Sequence, residues 1–358
     1  MKILVTGASG FIGSALCRAL VNAGHHVRAF HRASSSLKRL GDLPVEHAIG
    51  DLTQPNTLSA AVEGIDVIFH TAALMGTERD LGRLYSVTVE GTRSLLKAAH
   101  QAGIKRFIHT SSVAALGVPE EPPYRQSTPR LMDENHTWNF SPQRWRYGYT
   151  KYLAELEVQR AVAQGLDAVI VNPTIVIGAG DIYRATSSYI VQVALQKLPI
   201  LTRGGLNTVH LDDVVEGHLA ALAYGKRGER YILGGFNMTI VHFIQKIAEV
   251  IGVQPPAVIV PPGLIRAFAR PAAWLQAFLT LPVDPSALNL AGYYFYVSTQ
   301  KAQQELHLPP PRPIEDAIFQ AYRWFQETGA LPSTPVRHPK TKKTPLPEQG
   351  GNNGKPTP

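Results

Sequence analysis

The sequence predicts an α/β fold, a doubly wound parallel sheet joined to a smaller mixed domain. Three observations carry this. The chain opens on a short apolar strand that runs straight into a glycine turn and then a helical pattern. Strand and helix patterns alternate through the first half, as a parallel sheet covered on both faces requires. After Pro173 the alternation weakens, and proline-rich breaks appear at Pro255-Pro256, Pro261-Pro262 and Pro309-Pro310-Pro311.

The first element, residues 3–6, leads into Gly7-Ala8-Ser9-Gly10-Phe11-Ile12-Gly13. Ala15, Leu16, Ala19 and Leu20 follow at helical spacing, and Asn22-Ala23-Gly24 provides a stop. Strand, glycine turn and helix in that order form the context of a dinucleotide fingerprint. Gly7 permits the tight turn, Gly10 lets backbone N–H groups approach a pyrophosphate, and Gly13 lets the helix pack close to the strand. The helix N-terminus presents its positive end to the phosphates, and Phe11 and Ile12 belong to the same loop. A turn that merely happens to be glycine-rich is the bland alternative. Further strands are expected at residues 27–30, 45–49, 67–70, 107–110 and 168–172, with the longest intervening helix over residues 81–102. Right-handed crossovers place the carboxyl ends of these strands on one edge, where a dinucleotide lies across the switch point. Residues 208–211 read as a strand that, with its following helix, returns to the main sheet. The expected division is therefore 1–172 with 207–233 for the dinucleotide-binding domain, and 173–206 with 234–330 for a substrate-covering domain. Residues 331–358 read as a disordered, basic, proline-rich tail.

Composition narrows the class. One cysteine, Cys17, rules out an intrachain disulfide and fits a reducing cytosol, so a cytoplasmic location is expected. No signal peptide is read at the start, because Gly7 interrupts the first apolar stretch. The net charge of +8 is inflated by the tail, where Arg337, Lys340, Lys342, Lys343 and Lys355 face Glu348 alone. No basic stripe interleaved with aromatics marks the rest, so nucleic-acid binding is not supported.

The chemistry is carried by Arg146-Tyr147-Gly148-Tyr149-Thr150-Lys151-Tyr152-Leu153-Ala154-Glu155. Tyr147 and Lys151 stand four apart on a helix, so both side chains leave one face. A free phenol titrates near ~10. A fixed ammonium beside it is expected to stabilise the phenolate and bring it closer to acid/base range. Ser112 sits just past the fifth strand, on the ligand edge, where a hydroxyl can donate to a carbonyl oxygen as negative charge develops. Ser111 is its near rival and is expected to contact cofactor. At the end of the second strand no acid stands between the glycine loop and Asp42. Arg32 stands there instead, with Ser34 and Lys38 nearby. A guanidinium suits a 2′-phosphate, so NADP is expected over NAD, with adenine stacking by Arg32 as the alternative compatible with either.

The glycine spacing, the Tyr147-x-x-x-Lys151 pair and the stretches between them resemble the extended short-chain dehydrogenase/reductases, of Rossmann fold, up to about Ala330. Asp133-Glu134-x-x-x-Trp138-Asn139, Val171-Asn172-Pro173-Thr174 and His210-Leu211-Asp212-Asp213-Val214-Val215-Glu216-Gly217-His218 look most like two groups within it. These are the dihydroflavonol-4-reductase-like proteins and the hopanoid-associated sugar epimerase-like group. The resemblance implies that Ser112, Tyr147 and Lys151 are catalytic, with Lys151 also holding the nicotinamide ribose. It implies that Asp51, followed by Leu52, accepts from the adenine amino group. Thr71, Ala72 and Ala73 would lie where backbone passes close to cofactor, and Pro173-Thr174 against the carboxamide. Where many relatives have Asn after the fourth strand, this chain reads Val87-Thr88-Val89. Elimination chemistry is disfavoured, because Val113-Ala114-Ala115 replaces the acidic pair of the dehydratases. His70 reads as a core histidine, and Asp133, Glu134 and His136 as loop residues rather than metal ligands.

These expectations converge on an NADP-dependent carbonyl reductase or alcohol dehydrogenase acting on a small-molecule substrate. A nucleotide-sugar epimerase with retained cofactor is the second reading, with Arg184 and Arg203 as candidate cations for its diphosphate. A non-catalytic dinucleotide-binding redox sensor is the third. Pro262 to Pro282 carries Leu264, Ile265, Phe268, Trp274, Leu275, Phe278 and Leu279, interrupted by Arg266, Arg270 and Pro271. That pattern is too broken to span a bilayer and reads as a helix pair closing the substrate domain. The sharper alternatives are an apolar lid for a bulky substrate and a surface that rests on a membrane. A homodimer is a further expectation.

Overall fold

The computed structural model describes residues 1–74, 80–120, 129–181, 188–198, 200–275 and 285–332. The strands, in chain order, are β1 (Lys2–Thr6), β2 (His26–His31), β3 (Glu46–Ile49), β4 (Val67–His70), β5 (Arg106–Thr110) and β6 (Ala168–Pro173). Then come β7 (Ile175–Ile177), β8 (Leu201–Thr202), β9 (Gly205–His210), β10 (Arg230–Leu233), β11 (Phe236–Thr239) and β12 (Ile259–Val260). The main sheet has seven strands in the order β10-β6-β5-β4-β1-β2-β3, all parallel.

Alternate residues of each strand serve opposite faces, as a pleated strand requires. Ile3, Val5, Phe69 and Ile108 face α1 (Phe11–Asn22), where Leu16, Cys17 and Leu20 complete one core. Leu4, Ile68, Phe107 and Ile170 face the other side. There they meet α2 (Pro55–Val62) through Leu58, then Leu95 and Leu96 of a longer helix, then Val158. Burial pushes the Cys17 thiol up to about 12, so it packs as a small apolar group.

The helix expected over residues 81–102 forms in three pieces. They are α3 (Leu81–Tyr85), a wider π-type turn (Ser86–Glu90) and α4 (Gly91–Gln101). The next helix, α5 (Arg146–Ala163), carries the tyrosine–lysine pair. A separate core gathers Ile177, Leu206, Phe243, Ile247, Ile318 and Phe325 around the small sheet β11-β9-β7. It is covered by α6 (Ser188–Ala194), by the helix Ile240–Ile251 and by the helix Ile314–Glu327.

One expected element is corrected. The strand read at residues 208–211 does not return to the main sheet. It is β9, paired parallel to β7 and antiparallel to β11, and Leu211 already opens α7 (Leu211–Tyr224). His210 ends the strand because its ring accepts from Asp212 N at 3.0 Å, capping α7, and Asp212 and Asp213 favour the helix's positive end. It is β10, after α7, that rejoins the main sheet beside β6.

Candidate active site

The carboxyl ends of the parallel strands form one edge, and the glycine turn opens it. Gly7 has φ +68°, and a Cβ there would lie 2.8 Å from Ala72 N. A Cβ on Gly13 would overlap the Gly7 carbonyl oxygen, so the helix can approach the strand only without a side chain. Gly10 N donates to Gly7 O at 2.8 Å, which closes the turn, and Gly10 caps α1 with no side chain in the way. Phe11 and Ile12 begin α1, half-buried against the core. Thr71 Oγ1 donates to Thr6 O at 2.7 Å, bringing Thr71, Ala72 and Ala73 against this turn.

Arg32 is exposed at the end of β2, as are Ser34 and Lys38. Asp51 follows β3. Burial alone would raise its pKa, but the Thr53 N–H and hydroxyl, then the Arg32 and Arg83 charges, hold it below the usual range. The side chain of Leu52 is buried in the core under Gly91, so only its backbone can face a ligand.

Ser112 caps the short turn Val113–Leu116, its hydroxyl accepting from Ala114 N at 3.2 Å. The Tyr147 phenol lies by this same serine side chain, whose influence lowers its pKa. Gly148 makes the approach possible, because a Cβ there would meet Ala114 O and the Trp138 ring, both at 2.8 Å. Lys151, wholly buried, donates from Nζ to Thr110 O at 2.9 Å.

The expected ammonium–phenol coupling is not what the protein shows. Burial pushes the Tyr147 phenol upward, and the counteracting influence is the Ser112 side chain. Lys151 itself is lowered to about 8 by burial, with Glu155 opposing the shift. The ammonium is thus anchored to backbone, while the serine touches the phenol.

Ser111 Oγ and Thr174 Oγ1 are buried without a protein partner. Thr174 N bonds to Leu233 O at 3.1 Å, holding the Pro173-Thr174 end of β6 against β10. A cradle that a Cβ would fill and two orphaned hydroxyls on one sheet edge fit a dinucleotide.

Beneath this edge lies a polar layer that sequence reasoning missed. Thr6, His70 and His109 occupy the same level of β1, β4 and β5. Thr92 Oγ1 donates to Thr88 O at 2.7 Å, so it accepts from His70 Nε2, 2.9 Å away. His70 Nδ1 therefore accepts from Thr6 Oγ1 at 2.7 Å. Burial, then the Lys151 charge, lowers His70 to about 3 and places His109 well below its ordinary value. His70 is a core histidine, as expected. Glu155, buried on α5, accepts from Asn172 Nδ2 at 2.6 Å and from Arg230 Nη1 at 3.1 Å. Its place four residues after Lys151 was the one available signal.

Glu134 and His136 tie down the sheet edge, while Asp133 accepts from Asn135 N within its own loop. Glu134 Oε1 accepts from Ile232 N at 2.9 Å, and Arg230 donates to the carbonyls of Glu134 and His136. Arg203 is exposed beside β8, while Arg184 and Phe278 lie outside the described residues, as does the tail from residue 333. Around α5, Trp138 packs on Trp145, Tyr149 and Tyr152, and Trp145 meets Phe295, which meets Tyr293.

Residues 3–234 match the model of the NAD dependent epimerase/dehydratase family. The chain is 35% identical to a Synechocystis sp. protein provisionally named dihydroflavonol 4-reductase, over 91% of this chain and 94% of that one. It is 32% identical to sterol demethylase protein B of Methylococcus capsulatus, over 92% of this chain and 100% of that one. The crystal structure of gox2253 superposes with a TM-score of 0.80 at 37% identity, covering 92% of this chain and 99% of that one.

Proposed function

Because this chain belongs to the NAD dependent epimerase/dehydratase family, within the extended short-chain dehydrogenase/reductases, we propose that it is an NADP-dependent carbonyl reductase or alcohol dehydrogenase. The observation that carries this is the placing of Tyr147 beside Ser112, with Lys151 buried and bonded to Thr110 O, at the carboxyl edge of the sheet. A bound nicotinamide supplies or accepts hydride. The chain's own groups handle the oxygen and the proton. Ser112 donates to the carbonyl oxygen, Tyr147 gives its proton to that oxygen in reduction and takes it back in oxidation, and Lys151 provides positive charge nearby.

The glycine turn with Phe11 and Ile12 would hold the pyrophosphate. Asp51 and the Leu52 backbone would take the adenine, and Thr71, Ala72 and Ala73 would pass beside the cofactor. Ser111, Pro173 and Thr174 would close on its nicotinamide end, and Arg32 would pair with the 2′-phosphate. The aromatic side chains beside α5 favour a bulky apolar carbonyl over a charged nucleotide sugar.

NADPH consumption against apolar ketones, aldehydes and nucleotide sugars, in the parent and in Tyr147→Phe, tests the reading. The parent should reduce apolar carbonyls, and the variant should lose about 10²–10⁴-fold in turnover while still binding NADPH. Near-normal hydride transfer by the variant would remove Tyr147 from its role. Activity confined to nucleotide sugars would favour the epimerase.

A further inference from the structure

Six large apolar side chains crowd one part of the smaller lobe, and the structure leaves them in water. Leu264 is 56% exposed, Phe268 66% and Trp274 68%; Leu264 lies on the helix Pro262–Ala267, Phe268 caps it, and Trp274 lies on the helix Ala269–Leu275. Leu264 and Phe268 stand four apart on one helical face. Ile200, Val258 and Ile259 are exposed on the adjoining ribbon, where β12 pairs with β8 and Leu201 N bonds to Val258 O at 2.8 Å. An interior lid would have covered Phe268 and Trp274, so these two do not line a closed pocket.

The charge of the same two segments has one sign. Between Glu249 and Asp284 the sequence contains no acid, and its charges are Arg266 and Arg270. Between Asp181 and Asp212 there is again no acid, and the charges are Arg184, Lys197 and Arg203. Among the described ones, Lys197, Arg203 and Arg270 are exposed. Aromatic and aliphatic side chains on two segments whose own charges are all cationic match the headgroup boundary of an anionic bilayer, where apolar tips enter the acyl region and cations meet phosphates.

The patch also connects with the site. Pro262 packs on Gly292, and the Arg266 guanidinium lies over the Tyr293 ring at 5.7 Å. Tyr293 meets Phe295 at 6.2 Å and Phe295 meets Trp145 at 5.6 Å, two residues before Tyr147. We propose that this face docks on the surface of anionic lipid membranes, turning the aromatic approach to Tyr147 toward the bilayer. Docking itself stands apart from the catalytic reading. The route for an apolar carbonyl out of the bilayer rests on it.

Co-sedimentation of the full chain with vesicles tests docking. One set is phosphatidylcholine alone, and another contains a quarter phosphatidylglycerol. The parent should sediment with the anionic vesicles, less with the neutral ones, and added salt should weaken but not abolish binding. Phe268→Ser with Trp274→Ser should lower partitioning at least about tenfold, with melting temperature and NADPH affinity unchanged. A parent that stays in solution overturns the proposal. So does a double variant that binds like the parent, since binding would then belong to the basic C-terminal segment. A parent that ignores vesicles but forms dimers split by the double variant would assign the face to a second copy of the chain. Vesicle binding without carbonyl reduction would leave docking intact and sink only the catalytic reading.

Discussion

Gly148 sets the distance on which the proposed reaction would depend. It lets the first turn of α5 press on Ala114 O, and that contact carries Tyr147 to Ser112. Gly148→Ala should push the helix outward and cost about 10²-fold in kcat, since small misplacements of reacting groups are expensive. KM and NADPH affinity should change little, and equal losses in both would mark the glycine as merely structural. Arg32 bears on a different proposal, the choice of cofactor. A charged hydrogen bond to a phosphate contributes about 1.5–3 kcal/mol, roughly 10- to 150-fold in affinity. Arg32→Ser should therefore weaken NADPH by one to two orders of magnitude and leave NADH unchanged, as nicotinamide fluorescence titrations would report. A parent that binds both cofactors equally would end the Arg32 argument.

Element by element, α5 is more than the carrier of Tyr147. Through Glu155 it is bonded to Asn172 on β6 and Arg230 on β10, and Arg230 in turn grips the Glu134 and His136 carbonyls. Glu155→Ala would take the buried carboxylate partner from the half-buried Arg230, which keeps its two carbonyl acceptors. The loss should stay below the ~3–5 kcal/mol of a broken, fully buried pair and be readable as a lower urea midpoint. Glu155→Gln, which keeps an acceptor, should lose less, and identical losses would show that charge is irrelevant there. These partners were not legible in the sequence, because they join residues 17 and 75 positions apart. The glycine turn and the Tyr147–Lys151 spacing were legible because their physics is local to one turn and one helix. The strand at residues 208–211 was seen but assigned to the wrong sheet. A strand pattern shows that it pairs, while its partners are the three- and four-residue strands β7 and β11, too short to leave a pattern of their own.

Across the whole molecule, the buried histidines make acid sensitivity part of the fold. His70 is lowered to about 3 and His218 to about 4 chiefly by burial, and His109 is lowered as well. Below pH ~6.5 the unfolded chain takes up protons at these positions and the folded chain does not. Stability is therefore full above pH ~6.5 and falls toward pH 4, by up to about 1.4 kcal/mol per pH unit for each group. Urea denaturation at pH 7.5, 6 and 5 should show this slope, and His218→Gln should flatten it. A flat parent profile over that range would contradict neutral burial. The path of the backbone has a consequence of another kind. It leaves the seven-stranded sheet between Pro173 and Ile175, returns through α7, and leaves again between Leu233 and Phe236. No single stretch of gene therefore encodes the small sheet, and exchanging it by recombination would need several junctions to succeed at once.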